Sequence, residues 1–188
     1  MIIREGDPFV KIFYIKSGFV RLYLVTKNGR EVSLLLYPHG NYFPTLVELS
    51  ENDSEYNFVA DTDLKVYAAP KEKFLEFIKK SPGVLYDMGV RGGVMVRRLL
   101  KRIEVFSSES PYIGTVTMLL FLYDFYKDFG TSTTDHTITV SHQDLSTWIH
   151  TSRETVSRQI EKLERKNIVR CTKRNIKILN FTALRREI

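Results

Sequence analysis

One cysteine, Cys171, stands in a chain of 188 residues. That scarcity excludes an intrachain disulfide, a four-cysteine zinc site and a four-cysteine iron–sulfur cluster. No uninterrupted apolar run approaches the roughly 18 residues of a membrane helix, and the opening MIIREGDPFVKIFYIKSG carries charges through its first apolar stretch, unlike a secretory signal. A soluble, cytoplasmic protein with no membrane partner is expected. Also missing are a GxxxxGK phosphate loop, an HExxH helix, an ordered Ser, His and Asp set and a cysteine–histidine metal spacing. No catalytic residue and no metal ligand is therefore nominated, and no enzyme is expected. Internal repeats and low-complexity tracts are absent too.

Charge is present, and it is unevenly placed. Residues 1–136 hold 17 Lys and Arg against 17 Asp and Glu; residues 137–188 hold 11 against 5, which accounts for the whole net charge of +6. The last 52 residues form a basic module on a neutral body, a distribution suited to a polyanion partner.

Before Pro70 the pattern is β. KIFYIKSG, FVRLYLVT, EVSLLLYP, EYNFVAD and LKVYAAP repeat Val, Ile, Phe and Tyr at a spacing of two, and Asn28-Gly29 between them favours a type I′ hairpin turn. Short strands at this spacing predict a sandwich or barrel. The opening REGDPF reads as a sheet already under way, so a preceding segment found in similar folds is expected to be missing.

After Pro70 the period becomes helical. KEKFLEFIKKSP is a short amphipathic helix closed by Pro82, and GVLYDMGVRGGVMVRRLLKRIEVF a longer one. Leu85, Met88, Gly92, Met95, Leu99 and Phe106 follow a seven-residue seam, interrupted by Arg102, of the kind that takes a partner helix; packing on the protein's own sheet is the alternative. Gly92-Gly93 costs about 1 kcal/mol per residue against Ala, which a close backbone approach would explain. A third helix is expected to start at Ser110-Pro111 and close at Gly130, with Phe121, Tyr123, Phe125 and Tyr126 in the core.

In the basic module, Ser141 with Asp144 forms a capping-box-like start to SHQDLSTWI, and Ser152 caps a second helix whose Val156, Ile160 and Leu163 face inward. Two short helices across the break HTS make a helix-turn-helix, and NIVRCTKRNIKILNF adds a hairpin with a basic tip, the wing of a winged helix. Arg153, Glu154, Ser157 and Arg158 then occupy the first turns of a recognition helix, away from its apolar side. An arginine fork matches guanine O6 and N7 and a carboxylate accepts from a cytosine amino group, each discriminating by roughly 1–3 kcal/mol. Lys173 and Arg174 at the wing tip are expected on phosphate.

SHQDLSTWIHTSRETVSRQIEKLERKNIV resembles the DNA-binding motif of the Crp/Fnr transcription regulators, the cyclic-AMP receptor protein and its relatives, and the likeness extends over nearly the whole chain. It implies an α+β fold: a cyclic-nucleotide-binding-type β-roll (jelly roll) over 1–82, a dimerisation helix and hinge over 83–109, and a winged helix-turn-helix over 110–188. Arg153, Glu154 and Arg158 would read a TGA-like half-site, with Ser157 nearby and His142, Gln143, Ser152 and Thr155 at or near phosphates. His150 departs from the family's usual turn glycine.

The sensor departs further. Where cyclic-nucleotide-binding relatives carry Gly-Glu-Leu and Arg-Ser/Thr-Ala, this chain has Pro44-Thr45-Leu46 and Glu55-Tyr56-Asn57, with Glu48, Glu51 and Asp53 close in sequence. A cyclic phosphate would meet like charges, and Leu99 and Leu100 stand near where those relatives place hydroxyls for adenine. No cyclic AMP binding and no cofactor are expected. Haem at His39, redox chemistry at Cys171 and an apolar effector stay open. The function expected is a homodimeric regulator on a palindromic double-stranded DNA operator, acting with RNA polymerase. The alternatives are a protein-interaction module and a partner-dependent regulator.

Overall fold

The computed structural model describes residues 1–44, 53–106, 110–129 and 136–188, with side chains omitted at 101 and 104–106. Its contacts divide the chain into two compact units, Met1–Leu100 and Lys101–Ile188.

Among the described residues of the N-terminal unit, six strands form two three-stranded antiparallel sheets. β1 (Lys11–Ser17) lies between β4 (Tyr42–Phe43) and β6 (Lys65–Pro70), and β2 (Val20–Val25) between β3 (Glu31–Tyr37) and β5 (Asn57–Ala60). Alternation places Ile12, Val20, Leu22, Tyr37, Phe43 and Phe58 in one core shared by both sheets. Phe43 from one sheet stacks on Phe58 of the other at 5.7 Å between ring centroids, and Phe13 and Tyr37 extend the aromatic packing at 5.0 and 6.2 Å from Phe43. The result is a β-roll whose interior is filled by rings.

Two turns show why their glycines are needed. A Cβ on Gly18, at φ +89°, would come within 2.3 Å of the Asp63 carbonyl oxygen, so only glycine admits that approach. The turn at Asn28-Gly29 differs from the type I′ expectation: Gly29 N–H donates to Thr26 O at 2.8 Å and Thr26 N–H to Arg30 O at 2.9 Å. Of the pair only Gly29 has positive φ. This is a three-residue loop, a type I turn followed by a left-handed glycine.

α1 (Lys71–Lys79) turns Phe74 and Ile78 onto the roll. Pro82 does more than end it, because α2 (Pro82–Phe106) begins there, with proline in the first turn where its missing N–H is harmless. Met95 is 7% exposed within the roll's core and Met88 packs against it. These two members of the predicted seam therefore face their own sheet, the alternative weighed for that stripe. Leu85 is exposed, Gly92 and Leu99 are half-buried, and the Phe106 side chain lies outside the described residues. The exposed apolar line is rotated from the predicted one and runs through Tyr86, Val90, Val96, Leu100 and Ile103, with Gly89 and Gly93 between.

The C-terminal unit is built on α3 (Pro111–Asp128), which buries Val116, Leu119, Leu122, Tyr123, Phe125 and Tyr126. Ser110 holds the N-cap position without a side-chain cap hydrogen bond, and Phe129 occupies the C-cap, Gly130 lying outside the described residues. α4 (His142–Trp148), α5 (Arg153–Arg165) and α6 (Phe181–Arg185) are the other helices among the described residues; β7 (Thr137–Thr139), β9 (Asn175–Ile178) and β8 (Val169–Cys171) form an antiparallel sheet in that order. Near the C-terminus, Glu187 accepts from Tyr112 Oη and Lys166 Nζ, both at 2.6 Å, tying the last residues to α3 and to the end of α5.

Candidate nucleic-acid interface

The helix-turn-helix forms where its caps predict. Ser141 Oγ accepts from Asp144 N–H at 3.0 Å while the Asp144 carboxylate accepts from Ser141 N–H at 3.1 Å, a reciprocal capping box. Ser152 Oγ accepts from Thr155 N–H at 3.1 Å and starts α5. Between the helices His150 takes φ +57°, a left-handed conformation that costs a non-glycine residue about 1–2 kcal/mol. Thr151 N–H donating to Ser146 O at 3.1 Å closes that turn. Asn167, at φ +54°, ends α5 and delivers the chain into β8.

α5 is strongly two-sided. Val156, Gln159, Ile160 and Leu163 are buried, whereas Arg153, Glu154 and Arg158 are exposed. Arg158 Nη2 donates to Thr155 Oγ1 at 3.3 Å, a weak exposed bond that leaves the guanidinium at the surface. Hydrogen bonds from its own backbone N–H and from the Ser152 side chain, with help from Arg153 and Arg158, hold the Glu154 carboxyl below the ordinary carboxylate range. It is an anion and acceptor at neutral pH.

Ser157 is half-buried, and its Oγ lies 2.9 Å from His142 Nδ1. The bond ties the first turn of α4 to the second turn of α5. Burial pushes the His142 imidazolium down; Glu164 opposes the shift, Arg153 adds a smaller push in the same direction as burial, and Glu161 opposes it least. A neutral ring can offer phosphate only an Nε2–H donor, not a charge. Gln143 and Ser152 are exposed and Thr155 is half-buried.

The wing is the β8–β9 hairpin, with Lys173 and Arg174 exposed at its tip and Thr172 N–H donating to Asn175 O at 2.8 Å. Arg170 and Lys177, which the sequence reading did not single out, are exposed and directly opposite each other across the two strands. Like charges so placed repel, as suits a surface that meets an anion. Their outward alternation with Val169, Ile176 and Ile178 was the signal available.

Cys171 is half-buried, and burial, with Glu164 adding to it, pushes the thiol up to about 12. A thiol so protonated is a poor redox sensor at neutral pH. His39 is exposed. Among the described residues no group of three or more His, Cys, Asp or Glu could hold a metal ion, and no helix is long and apolar enough to cross a membrane.

Residues 1–81 match the cyclic nucleotide-binding domain family and residues 116–187 the Crp-like helix-turn-helix domain family. The chain is 27% identical over 190 residues to the global nitrogen regulator of Synechocystis sp., covering 97% of this chain and 82% of that protein. It is also 27% identical over 169 residues to the cyclic AMP receptor protein of Thermus thermophilus, covering 90% and 75%. A solved CRP-family transcriptional regulator, also from Thermus thermophilus, shares the fold at a TM-score of 0.85 and 22% identity, covering 99% of this chain and 91% of that one. The chain belongs to the Crp/Fnr family of DNA-binding transcription regulators.

Proposed function

We propose that the protein is a homodimeric regulator that reads a palindromic operator without gating by cyclic nucleotide. Residues 1–82 serve as sensor, 83–109 as dimerisation helix and hinge, and 110–188 as reader. The observation that carries the reading is the exposed, mixed-sign face of α5, with Arg153, Glu154 and Arg158 turned away from buried Val156 and Ile160. Base edges present donors and acceptors, so a face meant to read them needs both signs. Arg153, Glu154 and Arg158 are assigned to bases with Ser157 beside them. His142, Gln143, Ser152, Thr155, Lys173, Arg174, Arg170 and Lys177 are assigned to phosphate or its approach.

The dimer seam is assigned to the exposed line of α2, which keeps Leu85 at its edge and replaces Met88 and Met95 by Tyr86, Val90, Val96, Leu100 and Ile103. A Cβ at Gly89 or Gly93 would meet nothing within 4 Å in the protomer, so room exists for a second helix to come close. Two recognition helices would then enter major grooves about 34 Å apart. RNA polymerase is the proposed partner on the promoter.

Selection of bound duplexes from a random pool tests the reading: an inverted repeat is expected, and a pool without sequence enrichment would overturn it. On the selected site Glu154→Ala is expected to relax preference at one base pair. Lys173→Ala should weaken all sequences alike and lower the salt slope by about one. Uniform loss for Glu154→Ala would remove the base contact.

Cyclic-nucleotide independence rests on the charge at one position. Glu55, where the phosphate-binding relatives have arginine, is exposed and acidic. Residues 45–52, including Glu48 and Glu51, lie outside the described residues. Calorimetry with cyclic AMP is expected to show no binding at micromolar concentrations; a saturable isotherm there would refute the independence.

A further inference from the structure

Arg102 is a charged residue that the DNA interface leaves unused. It follows Met95 by seven residues, on the same side of α2, and is 2% exposed. Its guanidinium carbon lies 4.6 Å from the centroid of the Trp148 ring. Nη2 donates to the Trp148 carbonyl oxygen at 3.3 Å. Trp148 is itself 3% exposed and is the last residue of α4, so its carbonyl is one of those a helix leaves without an intrahelical partner. A cation at that end also meets the negative pole of the helix dipole. From Trp148 the chain has only the turn at His150 before Ser152 caps α5.

We propose that Arg102 is a positioning residue for DNA recognition: by capping the end of α4 and stacking on Trp148, it ties the helix-turn-helix to the last turns of α2 and so sets the half-site spacing that the dimer accepts. The inference rests on the homodimeric reading above. Burial lowers the guanidinium to about 10, which still leaves it charged at neutral pH. Desolvating a cation opposes folding, and an apolar residue of similar length there is often neutral or stabilising. Filling the space with apolar volume therefore does not account for the arginine. A role in geometry does, because lysine offers neither the planar face for the indole nor the fixed donor fork.

The test compares the wild type with Arg102→Met and Arg102→Lys on the operator recovered by duplex selection, and on versions with the spacer lengthened by one and two base pairs. Each added pair moves a half-site by about 3.4 Å and turns it by roughly a tenth of a turn. Wild type is expected to prefer the native spacer strongly. Both variants should lose about tenfold in affinity for it and bind the three spacers within about threefold of one another, because preorganisation is lost while contacts remain. Trp148 is the one tryptophan of the chain, so its emission reports on the contact directly and should change in both variants. The Arg102→Met melting temperature should equal or exceed that of wild type. If Arg102→Met fails to fold, Arg102→Lys alone decides. Unaltered spacer preference in a folded variant overturns the inference, as does unaltered Trp148 emission. A wild-type chain that does not dimerise or selects no inverted repeat is a different failure, that of the homodimeric reading.

Discussion

Replacing Leu100 by glutamate is expected to turn a dimer into a monomer and to lower operator affinity by about 100-fold or more, the avidity lost when one half-site must act alone. Leu100 is 56% exposed, with Val96 at 56% and Ile103 at 57% one turn to either side. An apolar line this exposed on a 25-residue helix is unusual for a monomer's surface. In the proposed twofold pair of parallel helices the residue would meet its own copy, so the substitution would place two carboxylates together in an apolar seam, with both desolvation and repulsion acting against association. Leu100 is not among the described residues that pack on the roll's core, so the substitution should leave the protomer folded. Size-exclusion chromatography with light scattering reads the first outcome and a salt-controlled binding isotherm the second. A Leu100→Glu chain that remains dimeric with unaltered operator affinity would place the seam elsewhere.

The heptad pattern of α2 is ambiguous in the sequence. The line Leu85, Met88, Gly92, Met95 and Leu99 is apolar at heptad spacing, but so are Tyr86, Gly93 and Leu100 and the parallel set Gly89, Val96 and Ile103. A helix caught between its own sheet and a second face is apolar on both, and periodicity alone cannot assign the two. Arg102 was the available arbiter. It continues the line of Met88 and Met95, and a buried cation in a symmetric seam would face its own copy. The winged helix, by contrast, was legible nearly residue by residue, because its signals are local: Ser141 with Asp144 and Ser152 with Thr155 are hydrogen bonds between residues three apart. The bond from Ser157 to His142 spans 15 residues and the Arg102 contact with Trp148 spans 46. No local pattern encodes either. The hairpin at Gly29 failed for a subtler reason, since Asn-Gly serves both a two-residue and a three-residue loop, and the choice is made by strand register.

The roll's aromatic interior supports the second large effect. Phe58→Ala is expected to destabilise the N-terminal unit by about 3–5 kcal/mol, the range for truncating a buried phenylalanine to alanine. Phe58 has no solvent-exposed surface, stacks on Phe43 across the roll, lies 6.1 Å from the Tyr37 ring and pairs with Leu22 on the neighbouring strand. Its backbone also receives the opening segment, Ile2 N–H donating to Phe58 O at 2.8 Å and Phe58 N–H to Ile3 O at 2.8 Å. Those backbone bonds survive the substitution, so the loss falls on packing between sheets. Because Trp148 lies in the other unit, two probes can follow the two units separately. Far-UV circular dichroism should show an early transition belonging to the roll, while Trp148 emission should hold its wild-type midpoint. Coincident transitions lowered by the same amount would mean that the roll and the reader unfold as one body. The distinction bears on the proposed control: if the roll is the sensor and can loosen alone, it would act on the reader only by favouring one of two poses, whereas a single cooperative body would couple the two through its whole stability.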